Sequence, residues 1–412
     1  MGLSPVSVKK QYERAAADDL RILVVGAGIA GITAAQLLRR GGRHPVLIEP
    51  GADESHPGYM LALMPMVDAA LDDLGVRDRY RAASVPLTRY AVHGHTGRLL
   101  RVDSMATILA RYGDYRGIAR GGLIDVLAAE GCDVAFDTTV TALTERPDAA
   151  VLSMCTAGVQ HTLEFDLVVI ADGLHSTTRD LVLGGQAVEE VDTKWGGWVV
   201  WATEDADTDL GEEFWGAGFF IGMYPVAAEL GIFLGGPRAD TADGPASFVA
   251  DVRRRLKTIN PRLDSALTAV VDDPDPYYWS LVDRRAPTWT TGHTVLVGDA
   301  AAGFLPTAGI GAGMAMESAW VLGRMLRRAD RAGLADLLRA YERTQRPRVE
   351  AAQDNSRQLA NLMLHRSRTI AVLRDLAMRV MTVQAAIRPI QRLLQNAPDP
   401  DAIATREGVY PR

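Results

Sequence analysis

The apolar positions of the first half of the chain come in short unbroken runs, and each run ends in a turn. Arg21 to Val25 (RILVV) is a run of branched residues suited to a strand covered on both faces, as in a parallel sheet. From Ile29 to Arg40 the residues are mostly Ala, Leu and Ile with a basic end, and Gly41-Gly42 stops the pattern as a helix terminator does. A second strand, Pro45 to Ile48, runs into Glu49. A helix is predicted around Val67 to Leu74, then hairpin-like strands to Arg101, then a helix from near Gly122. Strand signals crowd residues 133–169, which close on FDLVVIADG, another apolar run feeding a turn.

The pattern then changes. Between Val191 and Trp289 the runs are short and alternating, and six of the seven tryptophans fall there, which predicts an antiparallel sheet rather than further βαβ units. His293 to Ala301 (HTVLVGDAA) returns to the first pattern, and from Ala315 the chain reads as helical almost to Asn396. The first twenty residues lack the apolar core of a signal peptide and are expected to form a flexible leader.

Composition narrows the class without changing this outline. At 412 residues, 48% hydrophobic and 23% charged, the chain matches a globular protein of two or three structural units. A formal net charge of -7 provides no attractive field for nucleic acid, so no such partner is expected. No run reaches the roughly 18 apolar residues of a membrane span, which predicts a cytoplasmic protein. Cys132 and Cys155 form no CxxC pair and are expected to be buried, unpaired thiols.

Gly26, Gly28 and Gly31 form a G-x-G-x-x-G, with Ala30 inside it, between the first strand and its helix. Bare backbone there can approach a pyrophosphate, and the N–H groups of the helix start can bind it. Glu49, about twenty residues on, is placed to accept hydrogen bonds from an adenosine ribose. These residues point to a dinucleotide without choosing between NAD and FAD, whose ADP halves are alike. Residues 296–319 supply a second signal: Gly298-Asp299 after a strand, then a glycine-rich loop before a helix. Asp299 can accept hydrogen bonds from the polyol that joins a pyrophosphate to a flavin ring, and the backbone of Gly309, Gly311, Ala312 and Gly313 can approach that ring closely. A helix opening near Gly313 would aim its positive end at the anion of a reduced flavin.

With DLVVIADGLHSTTRD between them, these motifs stand in an order that resembles the FAD-dependent monooxygenases of the para-hydroxybenzoate hydroxylase type, the single-component aromatic hydroxylases. The likeness runs from Arg21 to about Arg348. It implies an α/β fold with a Rossmann-type FAD-binding domain (residues 21–75, 101–180 and 283–348) and an inserted antiparallel-sheet substrate domain (76–100 and 181–282). C-terminal helices (349–396) and a tail (397–412) would follow. It also implies non-covalent FAD, and NADPH or NADH as a reductant with no Rossmann domain of its own. In that family the middle motif, here Asp172, Gly173, Ser176 and Arg179, is associated with both. Arg120 matches an arginine that reaches toward FAD, and Pro306 the proline before the flavin loop. The chain departs from the family at Ala302, where a histidine is usual, and at Gly313, where the loop usually carries an asparagine.

The reaction implied is insertion of one oxygen atom of O2, through a flavin C4a-hydroperoxide, into a lipophilic aromatic or polyketide-like small molecule. Met60, Met64, Met66, Trp201, Met223, Tyr224 and Pro225 are expected to wall the substrate pocket. No catalytic base is assigned, since spacing gives His93, His95 and His175 no geometry. The alternatives are a flavin oxidase or dehydrogenase, a halogenase suggested by KWGGWVVW (Lys194 to Trp201), and a non-catalytic FAD-binding protein. The basic amphipathic stretch beyond Arg348 is read as packing on the body or on another subunit, in a monomer or homodimer, rather than as lying on a membrane. No metal is expected.

Overall fold

The computed structural model of the chain describes residues 2–51, 58–203, 206–379 and 383–406. Its first sheet has five strands in the order Thr290–Thr291, Thr294–Leu296, Leu167–Ile170, Ile22–Val25 and Val46–Ile48. The last four run parallel. Every residue of Ile22–Val25 and of Leu167–Ile170 is buried, which is why these runs are continuous rather than alternating. Parallel neighbours end on one edge, so the chain leaves the sheet side by side toward Gly26, Glu49, Asp172 and Gly298. Gly298 (φ +62°) also lets two helices, Ile29–Arg40 and Gly311–Leu326, close over that edge. A Cβ there would stand 2.9 Å from the Cβ of Ala30 and 3.3 Å from that of Ala315.

The second sheet has eight strands in the order Ala302–Gly303, Tyr277–Arg285, Glu189–Thr203, Glu229–Pro237, Phe220–Val226, Leu210–Trp215, Arg89–His93 and Leu99–Ser104. Its pairings are antiparallel except that of Leu210–Trp215 with Arg89–His93. One face buries Trp198, Val200, Ile221, Met223, Ile232 and Leu234 under the helices Pro245–Arg255 and Pro261–Asp272. These helices were not among the sequence expectations, although each opens with proline in its first turn and the second is capped by Asn260, which accepts from the Leu263 N–H at 2.7 Å. Because strand side chains alternate, Val199, Phe220, Phe233 and Leu281 face the other way, toward a cavity.

Both ends of the chain differ from expectation. The presumed flexible leader is folded: Leu3–Pro5 pairs in parallel with Cys132–Val134, and the helix Val8–Ala15, capped by Ser7, buries Val8, Gln11 and Ala15. Its inner face is built around a polar residue, so no apolar stripe marks it in the sequence. The Gln11 carboxamide donates to the carbonyls of Val6 (3.0 Å) and Leu47 (3.2 Å) and accepts from the Leu47 N–H (2.9 Å). Within the expected tail lies the helix Pro400–Arg406, while residues 407–412 fall outside the described part. The helix Leu334–Met363 is anchored by a two-pronged ion pair of Arg348 with the buried Glu317, at 2.7 and 2.9 Å. In Arg368–Met378, Ala371, Arg374 and Met378 are buried, whereas Ile370, Val372, Leu373 and Leu376 are exposed. Among the described residues no helix is long and apolar enough to cross a membrane. Cys132 is buried as expected; Cys155 is half-buried, and both are free thiols.

Candidate active site

The three turns at the sheet edge differ in what they leave open. A Cβ on Gly26 (φ +99°) would meet the Ala171 carbonyl oxygen at 2.5 Å, and one on Gly31 would meet the Gly26 carbonyl oxygen at 1.8 Å. Both glycines are therefore required by the packing of helix on strand. At Gly28 a Cβ would meet nothing within 4 Å. That open space lies at the start of Ile29–Arg40, where the first helical N–H groups lack intrahelical partners. Glu49 accepts from the N–H groups of Ala27 (2.6 Å) and Gly51 (3.1 Å), so the carboxylate clamps the glycine turn it was expected to stand beside. Asp172 accepts from the Thr178 N–H at 3.3 Å through Oδ2, while its buried Oδ1 has no partner among the described residues. Ser176 caps the following helix, accepting from the Arg179 N–H at 2.9 Å. Arg179, 1% exposed, ties the middle turn to the third by donating to the carbonyls of Leu174 (3.2 Å) and Ala300 (3.4 Å).

A cavity of about 260 Å³ is lined from both sheets. It brings together Gly28, Ala30, Arg120, Asp299, Pro306, Gly309, Gly311 and Ala312, and on its walls Met60 and Tyr224. Asp299 reaches this cavity yet lies deep in the protein. Burial pushes its carboxyl up to about 6, with Arg120 pulling the other way. The Arg120 charge stands close to the Tyr59 hydroxyl and draws its proton affinity down, while burial first and Asp299 second push it up, to about 12. An open backbone at a helix start, an orphaned Asp172 oxygen and a carboxyl accepting no hydrogen bond from the described residues fit a group carrying phosphates and several hydroxyls. FAD is such a group.

Other expected residues serve elsewhere. The helix opens at Gly311, near Gly313 as expected, but a Cβ on Gly313 would stand 2.7 Å from the Met66 sulfur, so Gly313 makes room for the buried Met66. Met64 lines a second, smaller cavity of about 110 Å³. Three more residues expected to wall the substrate pocket, beside Met64 and Met66, do not line the main cavity. Met223 is fully buried beneath the sheet's helices, and Pro225, two positions on, stands on that same side of the strand. The Trp201 indole instead donates to the Gly58 carbonyl at 3.2 Å.

Tertiary structure adds residues that spacing had not marked: Tyr59, Tyr115, Phe220, Phe233, Trp279 and Glu213. Glu213 is only 5% exposed; it accepts from the Trp215 indole at 2.7 Å and from the Tyr224 hydroxyl, and the Tyr90 hydroxyl lies close by. Burial raises its proton affinity, against the pull of these neighbouring hydroxyls and the indole. The available signal was LGEEFW itself, since two adjacent acids inside an otherwise apolar strand cannot both face solvent. Glu212 points to the opposite side, where Arg262 (3.1 Å) and His93 (2.6 Å) meet it. His95 pairs with Asp375 at 2.6 Å and His175 is exposed; none of these three histidines lines the cavity.

The FAD binding domain family matches residues 19–356 of this chain. The chain is 29% identical over 355 residues to 3-amino-4-hydroxybenzoate 2-monooxygenase PtnB3 of Streptomyces platensis, covering 82% of this chain and 87% of that one. It is 27% identical over 392 residues to the 2-heptyl-3-hydroxy-4(1H)-quinolone synthase of Pseudomonas aeruginosa, covering 91% and 97%. In fold it resembles Klebsiella pneumoniae HpxO, solved with FAD and uric acid, with a TM-score of 0.81 at 23% identity over 92% and 97% of the two chains. The chain belongs to the FAD-binding domain family and is an FAD-dependent monooxygenase of the para-hydroxybenzoate hydroxylase type.

Proposed function

We propose that this enzyme uses NADPH or NADH and O2 to hydroxylate a lipophilic aromatic small molecule that presents an O–H or N–H group. One observation carries the reading: a single cavity is bounded both by Gly28, Asp299 and the Gly309–Ala312 backbone and by aromatic walls with a buried Tyr224–Glu213 pair. The relatives' names, a hydroxybenzoate monooxygenase and a hydroxyquinolone synthase, support an aromatic substrate.

Bound FAD would supply electron transfer from the nicotinamide and activation of O2. The turn at Gly28 and the adjoining helix start would hold its pyrophosphate, Asp299 its polyol hydroxyls, and the backbone from Gly309 to Ala312 the ring. The rest is positioning and exclusion of water. Phe220, Phe233, Trp279 and Leu305 present apolar surface to the cavity, which keeps the reacting face dry. Tyr224 donates its proton to Glu213, leaving the phenolic oxygen to accept from the substrate. A proton leaving the substrate passes to that oxygen as the Tyr224 proton passes to Glu213, whose raised affinity suits it to receive one.

Anaerobic mixing in a stopped-flow instrument tests the reading. Flavin bleaching should require NADPH or NADH and accelerate when an alkyl-substituted phenol or quinolone is present, and air should then yield hydroxylated product. Bleaching by the aromatic compound alone, with neither nicotinamide effective, would assign an oxidase or dehydrogenase instead.

A further inference from the structure

The second cavity adjoins the first. Tyr115, Glu213, Tyr224, Pro306, Thr307 and Gly309 line both, so the two form chambers on either side of one polar neck. Beyond that neck the smaller chamber is walled by methionine and branched aliphatic side chains, among them Met64, Met105, Leu362, Met378 and Ile390. Its polar lining is confined to few groups: besides the neck it contains Tyr90, Trp215, whose indole donates to Glu213, and Arg101, whose guanidinium is turned to Asp103. The roof comes from the C-terminal helices, with Leu362 from Leu334–Met363, Met378 from Arg368–Met378 and Ile390 from Arg388–Gln395.

A void of this kind lowers stability in proportion to its volume, and an apolar one holds water poorly. Methionines, with three rotatable bonds and a polarisable sulfur, line surfaces that adapt to flexible apolar ligands. At the neck, the acceptors Tyr224 and Glu213 select for a donor on the ring, and the Glu213 carboxyl disfavours an anionic group there.

From these features we infer that the second chamber is a subsite for an aliphatic chain. The substrate is an aromatic ring that carries an O–H or N–H donor at the neck and an uncharged chain of several carbons extending under the C-terminal helices. The inference rests on the proposed function only for which end of the ligand is the aromatic head.

The test is an equilibrium titration of 4-alkylphenols, methyl to octyl, into the purified FAD-loaded protein. Quenching of tryptophan fluorescence reports binding, since Trp279 lines the main chamber and Trp215 the second. Neither reductant nor turnover is involved, so the outcome is independent of whether the enzyme proves a hydroxylase. Affinity should rise about fourfold per methylene, or roughly sixtyfold over three, and level off when the chamber is full. Ile390→Trp, which fills the chamber from its roof, should reduce the octyl-to-methyl affinity ratio by roughly tenfold or more. Leu362→Phe serves the same purpose if the tryptophan variant does not fold. A flat series, no binding at any chain length, or a ratio unchanged in the folded variants overturns the subsite.

Discussion

Asp299→Asn should stabilise the FAD-free protein and weaken its hold on FAD. The wild-type carboxyl is moved from 3.8 to about 6, chiefly by burial. At about 1.4 kcal/mol per tenfold change in proton affinity, its ionised form costs the folded state on the order of 3 kcal/mol. Because the folded value is the higher one, the favourable contribution is complete below pH 3.8 and is lost as pH rises through about 6. An asparagine does not titrate. The variant's stability relative to wild type should therefore rise by about 2–3 kcal/mol between pH 4 and pH 8, in urea denaturation of FAD-stripped protein. Binding moves the other way. An ionised acceptor is worth about 1.5–3 kcal/mol per hydrogen bond, so losing it should weaken FAD affinity by roughly tenfold or more in a fluorescence titration at pH 8. A stability difference that stays constant between pH 4 and pH 8 would refute the burial argument, and unchanged FAD affinity would remove Asp299 from the cofactor site.

The two glycines of the first turn should separate folding from binding. Gly28→Ala, with open space around the new methyl group, should fold with stability within about 1 kcal/mol of wild type and be purified with little flavin absorbance. Gly31→Ala drives a methyl group into the Gly26 carbonyl and should cost about 3 kcal/mol or more, visible as a lowered urea midpoint. Arg357 binds Asp283, whose side chain is wholly buried, through two contacts of 2.9 Å; Arg357→Leu should cost about 3–5 kcal/mol by stranding that charge, measured by the same denaturation. Tyr224→Phe deprives Glu213 of a donor and should cost about 1–3 kcal/mol. It should also alter the pH profile of substrate-stimulated NADPH or NADH oxidation, and an identical profile in the variant contradicts the proton route through Tyr224.

The parts of the site that local sequence could reveal are those built by consecutive residues. A buried strand, a glycine turn and a helix start follow one another within a single stretch, so Gly26, Gly28 and Gly31 read as a nucleotide turn with no tertiary information. Gly298-Asp299 after Thr294–Leu296 could be read in the same way. The N-terminal helix was hidden because a glutamine forms the centre of its buried face, and two of the three hydrogen bonds that satisfy Gln11 come from Leu47, on a strand that arrives later in the chain.

By itself, then, the sequence determined the fold class, the four strand ends that meet at one edge of the parallel sheet and the order in which they come. Only the tertiary structure decided which side chains reach the cavity. Met223 and Tyr224 are neighbours in the chain, but strand alternation sends one under the helices and the other into the cavity. Glu213 becomes a buried acceptor because Tyr224, from the next strand, is brought alongside it by the antiparallel pairing of Leu210–Trp215 with Phe220–Val226. A turn is specified by the backbone needs of adjacent residues, whereas the walls of a cavity are specified by which distant strands lie next to one another and which face each presents.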